Sequence, residues 1–435
     1  VVPFHILILG SPNLGVLLRR LPRHPVEDIR GKLSKSLAGK SIALGVTSSV
    51  SMYRSLDLAR ELIRLGADVH VVMSPEAARY IHPRLFEWAT GNNVFVRFSG
   101  EVGHIALAEL CDVYVIAPAT ANTIAKIAYG ISDTSVTVLA QSFLGLGKPV
   151  VVVPAAHYSL IKSPPISGAL KKLEDMGITV VPPYVEEGRA KYPPIEDIVI
   201  ATEASTLRGK DFKGIRILVT AGPTREYMDR VRYLTNASSG KMGVAIAKEA
   251  YFRGAEVTLV RGPLSVEVPY YVRSVAVVST KEMLEAVLAE LSRSSYDVVI
   301  LAAAPVDFGF PHTFEGKVSS DINELKVTLV PTPKISLEVR SVFKGLLVGF
   351  AAEFAQGNAS ELISKARDKL AKRGFDIIVA NDISRPDIGF SSEYNEVAII
   401  DSSGTVEFVS KTRKVEVARR VLDYVVKYIR ERSRG

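Results

Sequence analysis

Short apolar runs alternate with amphipathic stretches through most of this chain. Ser41–Val46 is a β-branched run that ends in Gly45-Val46-Thr47-Ser48-Ser49. An amphipathic stretch continues to Leu65, Gly66 breaks it, and a second apolar run covers Asp68–Met73. Strand, small-residue turn, helix and strand make one βαβ unit. Further strands are expected at Asp112–Ala117 and Pro149–Pro154, with helical periodicity between them. The opening then recurs. Ile215–Thr220 reads as a strand, about Lys241–Arg253 as a helix and Glu256–Arg261 as the next strand. The halves share a phrase at equal spacing: Ala59-x-Glu61 with Gly66-Ala67-Asp68-Val69, and Ala247-x-Glu249 with Gly254-Ala255-Glu256-Val257. A glycine closing a helix before an apolar strand suits any such unit, so the repeat speaks for two similar domains and not for shared chemistry. Val298–Ala303 and Asp376–Ala380 read as strands, and Val397–Ile400 with Val406–Val409 as a hairpin around Asp401–Gly404. A last helix runs from about Lys414 to Arg430. The fold class is therefore α/β, with two doubly wound, Rossmann-like parallel-sheet domains.

Length and composition add boundaries. A chain of 435 residues exceeds one ordinary core, and 47% apolar residues supply two. Residues 1–39 read as an extension, 40–185 as the first domain, 186–212 as a linker rich in Pro, Glu and Lys, and 213–435 as the second domain. The net charge of +8 fits either a nucleic-acid partner or a solvated basic surface with sites for phosphorylated substrates. No aromatic–basic patch or helix-turn-helix favours nucleic acid. The single cysteine, Cys111, excludes an internal disulfide and suggests a reducing compartment. The apolar start at Phe4–Leu9 is too short to span a bilayer, and no cleavage pattern follows it. No membrane association is expected, and the cytoplasm is the expected location.

Candidate chemistry gathers at strand ends, where open α/β sheets bind ligands. Gly45, Thr47, Ser48 and Ser49 present small side chains and hydroxyls before a helix, a setting that attracts phosphate but also occurs without a ligand. Asp112–Ala117 leads into Pro118-Ala119-Thr120-Ala121-Asn122-Thr123, and Gly103-His104-Ile105 precedes that strand by one short helix. A lone histidine is more often packed or solvated than catalytic, but His104 opens its helix and would face the same edge. The run Ala117–Thr123 resembles the Pro-Ala-Ser-Ala-Asn-Thr signature of the homo-oligomeric flavin-containing cysteine decarboxylases, and Gly103-His104-Ile105 resembles their histidine motif. The resemblance implies FMN, its phosphate near Gly45, Thr47, Ser48 and Ser49, with Ser74 and Thr120 as further contacts. It also implies His104 as active-site base and Asn122 as the grip on the substrate carboxylate. Two departures stand out. The family's Pro-x-Met-Asn-x-x-Met reads here Pro154-Ala155-Ala156-His157-Tyr158-Ser159-Leu160. The flap that carries a cysteine in bacterial members reads Val185–Tyr192 without one, and leaves Lys191 or Tyr192 to supply a proton.

The second half carries a longer compound pattern. Ala221-Gly222-Pro223-Thr224-Arg225-Glu226 is followed by Asp229-x-Val231-Arg232-Tyr233-Leu234-Thr235-Asn236-x-Ser238-Ser239-Gly240-Lys241-Met242-Gly243. Ser238, Ser239 and Gly240 open a helix with free N–H groups and little bulk, as a phosphate requires, without the spacing of a P-loop. The segment resembles phosphopantothenate–cysteine ligase. Ala302–Phe308, Lys317, Thr332-Pro333-Lys334-Ile335, Gly349–Glu353 and Ala380-Asn381-Asp382 continue the likeness, although Val318, Ser319 and Ser320 replace the rest of a lysine cluster. The resemblance implies CTP with Mg²⁺, 4'-phosphopantothenate and cysteine as ligands. Asn236 would hold an acyl-nucleotide, and Asp307 would accept a hydrogen bond from the nucleotide. Phe350 and Ala303 would line the base pocket, with Pro333, Lys334 and Ile335 at the base edge. Gly222, Thr224, Ser238, Ser239 and Gly240 would form the substrate turn, and Lys317, Lys369, Lys372 and Arg373 would face the triphosphate. The two likenesses stand in one chain, and the ligase product is the decarboxylase substrate. Together they imply a bifunctional enzyme of coenzyme A biosynthesis of archaeal type. The alternative is a ligase alone, with a flavin domain that is structural or inactive. They also imply trimers through the flavin domain and dimers through the ligase domain, which together build a dodecamer.

Overall fold

The computed structural model describes residues 24–432, apart from 99, 101, 187–188, 320–323, 386 and 391. It divides into two compact units between Glu203 and Ala204. The first unit holds a five-stranded parallel sheet: β1 (Ser41–Val46), β2 (Asp68–Met73), β3 (Val113–Ala119), β4 (Val150–Pro154) and β5 (Thr179–Val180), in the order β2-β1-β3-β4-β5. Every residue of β3 and β4 is buried, as a parallel sheet with helices on both faces requires. Gly45 has no room for a side chain, because a Cβ there would lie 2.4 Å from the Tyr114 hydroxyl. Cys111 is fully buried before β3, and burial pushes its thiol up to about 12.

Part of the expected extension is built into this unit. Val26 and Leu37 are buried, and the Leu33 and Leu37 amides donate to the carbonyls of Arg64 and Leu65 at 3.0 and 2.9 Å. Residues 1–23 lie outside the described residues. The segment expected as a linker carries the helix Ile195–Leu207, on which Ile198, Val199, Ile200 and Ala201 are buried. Flanking prolines and charges hide this apolar run from a reading by composition. The flap stretch forms an antiparallel sheet in which Arg189–Lys191 lies between Ala156–His157 and Tyr184–Glu186; its residues 187–188 are outside the description.

The second unit holds an eight-stranded sheet: β6 (Arg216–Ala221), β7 (Glu256–Arg261), β8 (Arg273–Ala276), β9 (Val298–Leu301), β10 (Leu346–Glu353), β11 (Ile377–Asp382), β12 (Tyr394–Asp401) and β13 (Val406–Arg413). The order is β8-β7-β6-β9-β10-β11-β12-β13, parallel as far as β11 and antiparallel beyond it. The expected hairpin is present and longer than its apolar core. β9 stops at Leu301, two residues short of the expected end, because the Ala303 amide turns aside to donate to Thr220 Oγ1 at 3.1 Å. Helix Lys241–Phe252 lies against β6 at Gly243, where a Cβ would come within 2.6 Å of Ala221 Cβ and 2.8 Å of the Thr220 carbonyl. Among the described residues no helix is long and apolar enough to cross a membrane.

Candidate sites at the two switch points

A doubly wound sheet opens a crevice where the strand order reverses, because the connections on either side leave in opposite directions. The reversal falls between β1 and β3 in the first unit and between β6 and β9 in the second.

At the first crevice, Thr47 is 1% exposed and clamps the two strand ends together. Its hydroxyl donates to the Pro118 carbonyl at 2.7 Å and accepts from the Thr120 amide at 3.1 Å. Ser48 and Ser49 are half-buried beside it, and Ser49 shares a hydrogen bond of 3.0 Å with Ser51. Ser74, at the end of β2, receives the Ala77 amide at 3.2 Å. Thr120 caps the helix Ala121–Ala128 through the Thr123 amide at 3.3 Å, and Asn122 in its first turn is exposed. His104 opens the helix Gly103–Leu110, which runs back into β3, so its first turn lies toward the carboxyl edge of the sheet; its ring packs 5.8 Å from that of Phe98. The donor set fits a phosphorylated flavin: hydroxyls and helix starts, with no carboxylate between Thr47 and Ser51. Tyr192 does not suit a proton donor. It is 2% exposed, with Arg54 stacked 5.2 Å from its ring centre, and burial holds its phenol well above the ordinary range.

At the second crevice lies a cleft of about 290 Å³. Its wall on the β6 side is Asn236 with Ser238, Ser239 and Gly240 at the start of the helix. Ala303 and Asp307 line the β9 side, Phe350 stands on β10, and Pro333, Lys334 and Ile335 close the rim. Lys369 and Arg373, one turn apart near the end of helix Ala359–Arg373, supply cations. Asn236 gives its Nδ2 to the carbonyls of Ala304 and Pro305, at 3.1 and 3.0 Å, which fixes the amide plane. Lys334 pairs with Asp307, and Lys369 with Glu353 at 2.5 Å.

Four expected contacts are not brought to this cleft. Thr224 is fully buried; its hydroxyl meets Thr280 at 2.8 Å and accepts the Val306 amide at 2.9 Å, so it shapes the wall from behind. Gly222 also stands behind the wall, with its carbonyl receiving the Ala304 amide at 2.9 Å. Lys317 and Lys372 are exposed outside the lining. Lys317 sits on a segment tied to Asp229, whose carboxylate accepts the Val318 amide at 3.2 Å, and Ser320 beyond it is outside the described residues. Conversely, Lys414, Asn395, Asn381 and the Gly389–Phe390 segment line the cleft without having been singled out for it. The signal for Lys414 was a lysine opening a long helix, where a positive charge is unfavourable.

Known proteins agree with this geometry. The flavoprotein family matches residues 30–207, and the family described as DNA/pantothenate metabolism flavoprotein C-terminal domain matches residues 212–429. A Thermococcus kodakarensis protein named coenzyme A biosynthesis bifunctional protein CoaBC is 42% identical over 412 residues, 93% of this chain and 100% of that one. Proteins of the same name from Methanocaldococcus jannaschii and Escherichia coli are 37% and 34% identical, covering 94% and 92% of this chain and 98% and 100% of their own. The chain belongs to the coenzyme A biosynthesis bifunctional protein family. As a member of this bifunctional family it is a flavoprotein enzyme, and the two family matches fall on the two sheets in the order expected from the sequence.

Proposed function

We propose that this chain joins cysteine to 4'-phosphopantothenate in a CTP-dependent reaction through an acyl-cytidylate, and then decarboxylates 4'-phosphopantothenoylcysteine to 4'-phosphopantetheine with FMN in the first unit. The carrying observation is the cleft at the β6/β9 switch point, where a small-residue helix start, an apolar slot and five cationic side chains, Lys241, Lys334, Lys369, Arg373 and Lys414, converge.

Carboxylate attack on a triphosphate brings anions together, so catalysis there is chiefly alignment and charge neutralisation. Lys334, Lys369 and Arg373 would meet the phosphates, exchanging Asp307 and Glu353 for the nucleotide. Ala303 and Phe350 would hold the base, and the fixed amide of Asn236 keeps its oxygen as an acceptor beside the acyl centre. Lys317, on the segment that Asp229 holds through the Val318 amide, would add a further cation for the triphosphate. Mg²⁺ would arrive on the nucleotide, since it retains water and phosphate ligands and needs no cage of protein carboxylates; among the described residues no three His, Cys, Asp or Glu side chains cluster. In residues 40–185, Ser48, Ser49, Ser74 and Thr120 would hold the FMN phosphate. Flavin, when bound, supplies the electron acceptor that a carboxylate beside an amine lacks. Asn122 would orient that carboxylate and His104 would move the proton. On family resemblance we place the enzyme in the cytoplasm as a homo-oligomer with trimeric flavin domains and dimeric ligase domains.

A coupled assay tests both halves. His104→Asn should lower carbon dioxide release by roughly 100-fold or more and leave nucleotide-dependent pyrophosphate release intact. Asn236→Asp should do the reverse. A wild-type chain that releases no pyrophosphate with any nucleotide would sink the ligase reading.

A further inference from the structure

The flap of the first unit is mounted on two matching stems. Pro182-Pro183-Tyr184 leads into its paired strands and Tyr192-Pro193-Pro194 leads out of them, so the frame reads alike from either end. Proline fixes its own φ and holds the residue before it extended, which makes both stems stiff. They differ in burial. Tyr184 is half-buried, whereas Tyr192 and Pro193 are buried.

Arg54 grips Tyr192 in two ways. Its Nη1 donates to the Tyr192 carbonyl at 3.0 Å, and its guanidinium lies 5.2 Å from the ring centre. Arg54 opens the helix Arg54–Arg64, where the positive end of the dipole disfavours a cation. The carbonyl and the ring face offset that cost. The same stretch of chain also serves the first crevice. Ser49, at the end of the small-residue turn, lies just upstream, and Ser55, fully buried, donates to the Ala117 carbonyl on β3 at 2.7 Å. The Tyr192 hydroxyl faces Ser55 but closes no hydrogen bond among the described residues. The ring and the carbonyl therefore make the attachment. On its far side the flap strand Arg189–Lys191 pairs with Ala156–His157, which continues from the end of β4. The flap thus has two moorings at the carboxyl edge of the sheet, a main-chain ladder and the Arg54–Tyr192 pair.

We propose that Arg54 and Tyr192 are positioning residues for decarboxylation. The pair fixes the root of the flap to the helix that leaves the flavin turn, and so sets where Arg189–Lys191 stands as substrate enters the crevice. The inference rests on the decarboxylase reading. It assigns the pair to substrate binding, and to neither flavin binding nor proton transfer, with the Tyr192 ring as anchor and its hydroxyl dispensable.

The test uses the full chain carrying flavin. Arg54→Met keeps the apolar stem and removes the donor and the charge. KM for 4'-phosphopantothenoylcysteine should rise roughly 10-fold or more, the scale of a hydrogen bond from a charged group. The kcat for carbon dioxide release and the Kd for flavin, read by absorbance titration, should stay within about threefold. Trypsin should cut after Arg189 and Lys191 roughly 10-fold faster, since a loosened stem opens the strand more often. Arg54→Lys, which keeps a donor and a cation for the ring, should recover most of both effects. Tyr192→Phe, which deletes only the unpaired hydroxyl, should match wild type in KM, kcat and cleavage. An unchanged KM or an unchanged cleavage rate in Arg54→Met overturns the proposal, as does a loss of flavin affinity in step with KM. A fall in kcat at constant KM in Tyr192→Phe also overturns it, because the phenol would then be the proton donor. Cleavage reports on the anchor whether or not the chain releases carbon dioxide, so a failure of the decarboxylase reading is seen separately.

Discussion

Burial, with repulsion from Lys241 added, pushes the Lys414 ammonium down to about 8. An unfolded chain holds that proton to about 10.4. Between these values the unfolded state binds more protons than the folded one, so this group's contribution to stability rises with pH across that window. Below about 8 both states are protonated and the full penalty of burying the charge applies. Urea melts at pH 7.5 and 10 should therefore show a smaller pH-dependent difference for Lys414→Met than for wild type. Lys241 and Glu393 are the charged neighbours whose own changes the variant comparison removes. At this scale, residue type alone misled at Thr224. A hydroxyl just after a strand end looks available to a ligand, but Thr280 and the Val306 amide claim it. That information lies in segments 56 and 82 residues away, beyond the reach of local pattern.

Among elements, the hairpin Arg225–Tyr227 with Tyr233–Thr235 and the Lys317 segment hang on one carboxylate. Asp229 accepts the amides of Arg232 and Val231 at 2.7 Å each and that of Val318 at 3.2 Å, and it pairs with Arg232. These donors, the Arg232 amide foremost, lower its carboxyl to about 2. Its stabilising contribution is complete above the unfolded value of about 3.9 and is lost as pH falls from there through about 2. Asp229→Ala should free the Val318 amide and reduce ligation by about tenfold or more while decarboxylation persists, since a positioned lysine depends on its support; separate assays of the two activities check this. Gly243→Ala forces a methyl into Ala221 and should cost about 1–3 kcal/mol, with the loss appearing in thermal unfolding and in KM for both ligase substrates. Strands were the legible elements, because runs such as Val150–Val153 and Val298–Ile300 are apolar on both faces. The helix Ile195–Leu207 was not, because Pro193 and Pro194 before it and Lys210 and Lys213 after it carry the composition of a tether. The inner end of the second cleft was also hidden. β12, the bulge at Asn395 and the last helix reach it only through the order in which the strands assemble.

For the whole molecule, two sheets with separate switch points predict two activities that fail independently. Stripping the flavin from the full chain should abolish carbon dioxide release and leave pyrophosphate release within about twofold, read on the same sample before and after reconstitution. A joint loss would mean that one half needs the other's ligand. The interior position of Cys111 has a consequence for such work. Cysteine, 4'-phosphopantothenoylcysteine and 4'-phosphopantetheine, the proposed co-substrate, ligation product and final product, all carry a sulfhydryl, yet the chain's single cysteine is fully buried with its thiol held protonated. Only a thiolate exchanges with disulfides, so oxidised cysteine cannot trap the native enzyme as a mixed disulfide. A colorimetric sulfhydryl reagent added during turnover will count the small molecules alone, against a protein that contributes no background.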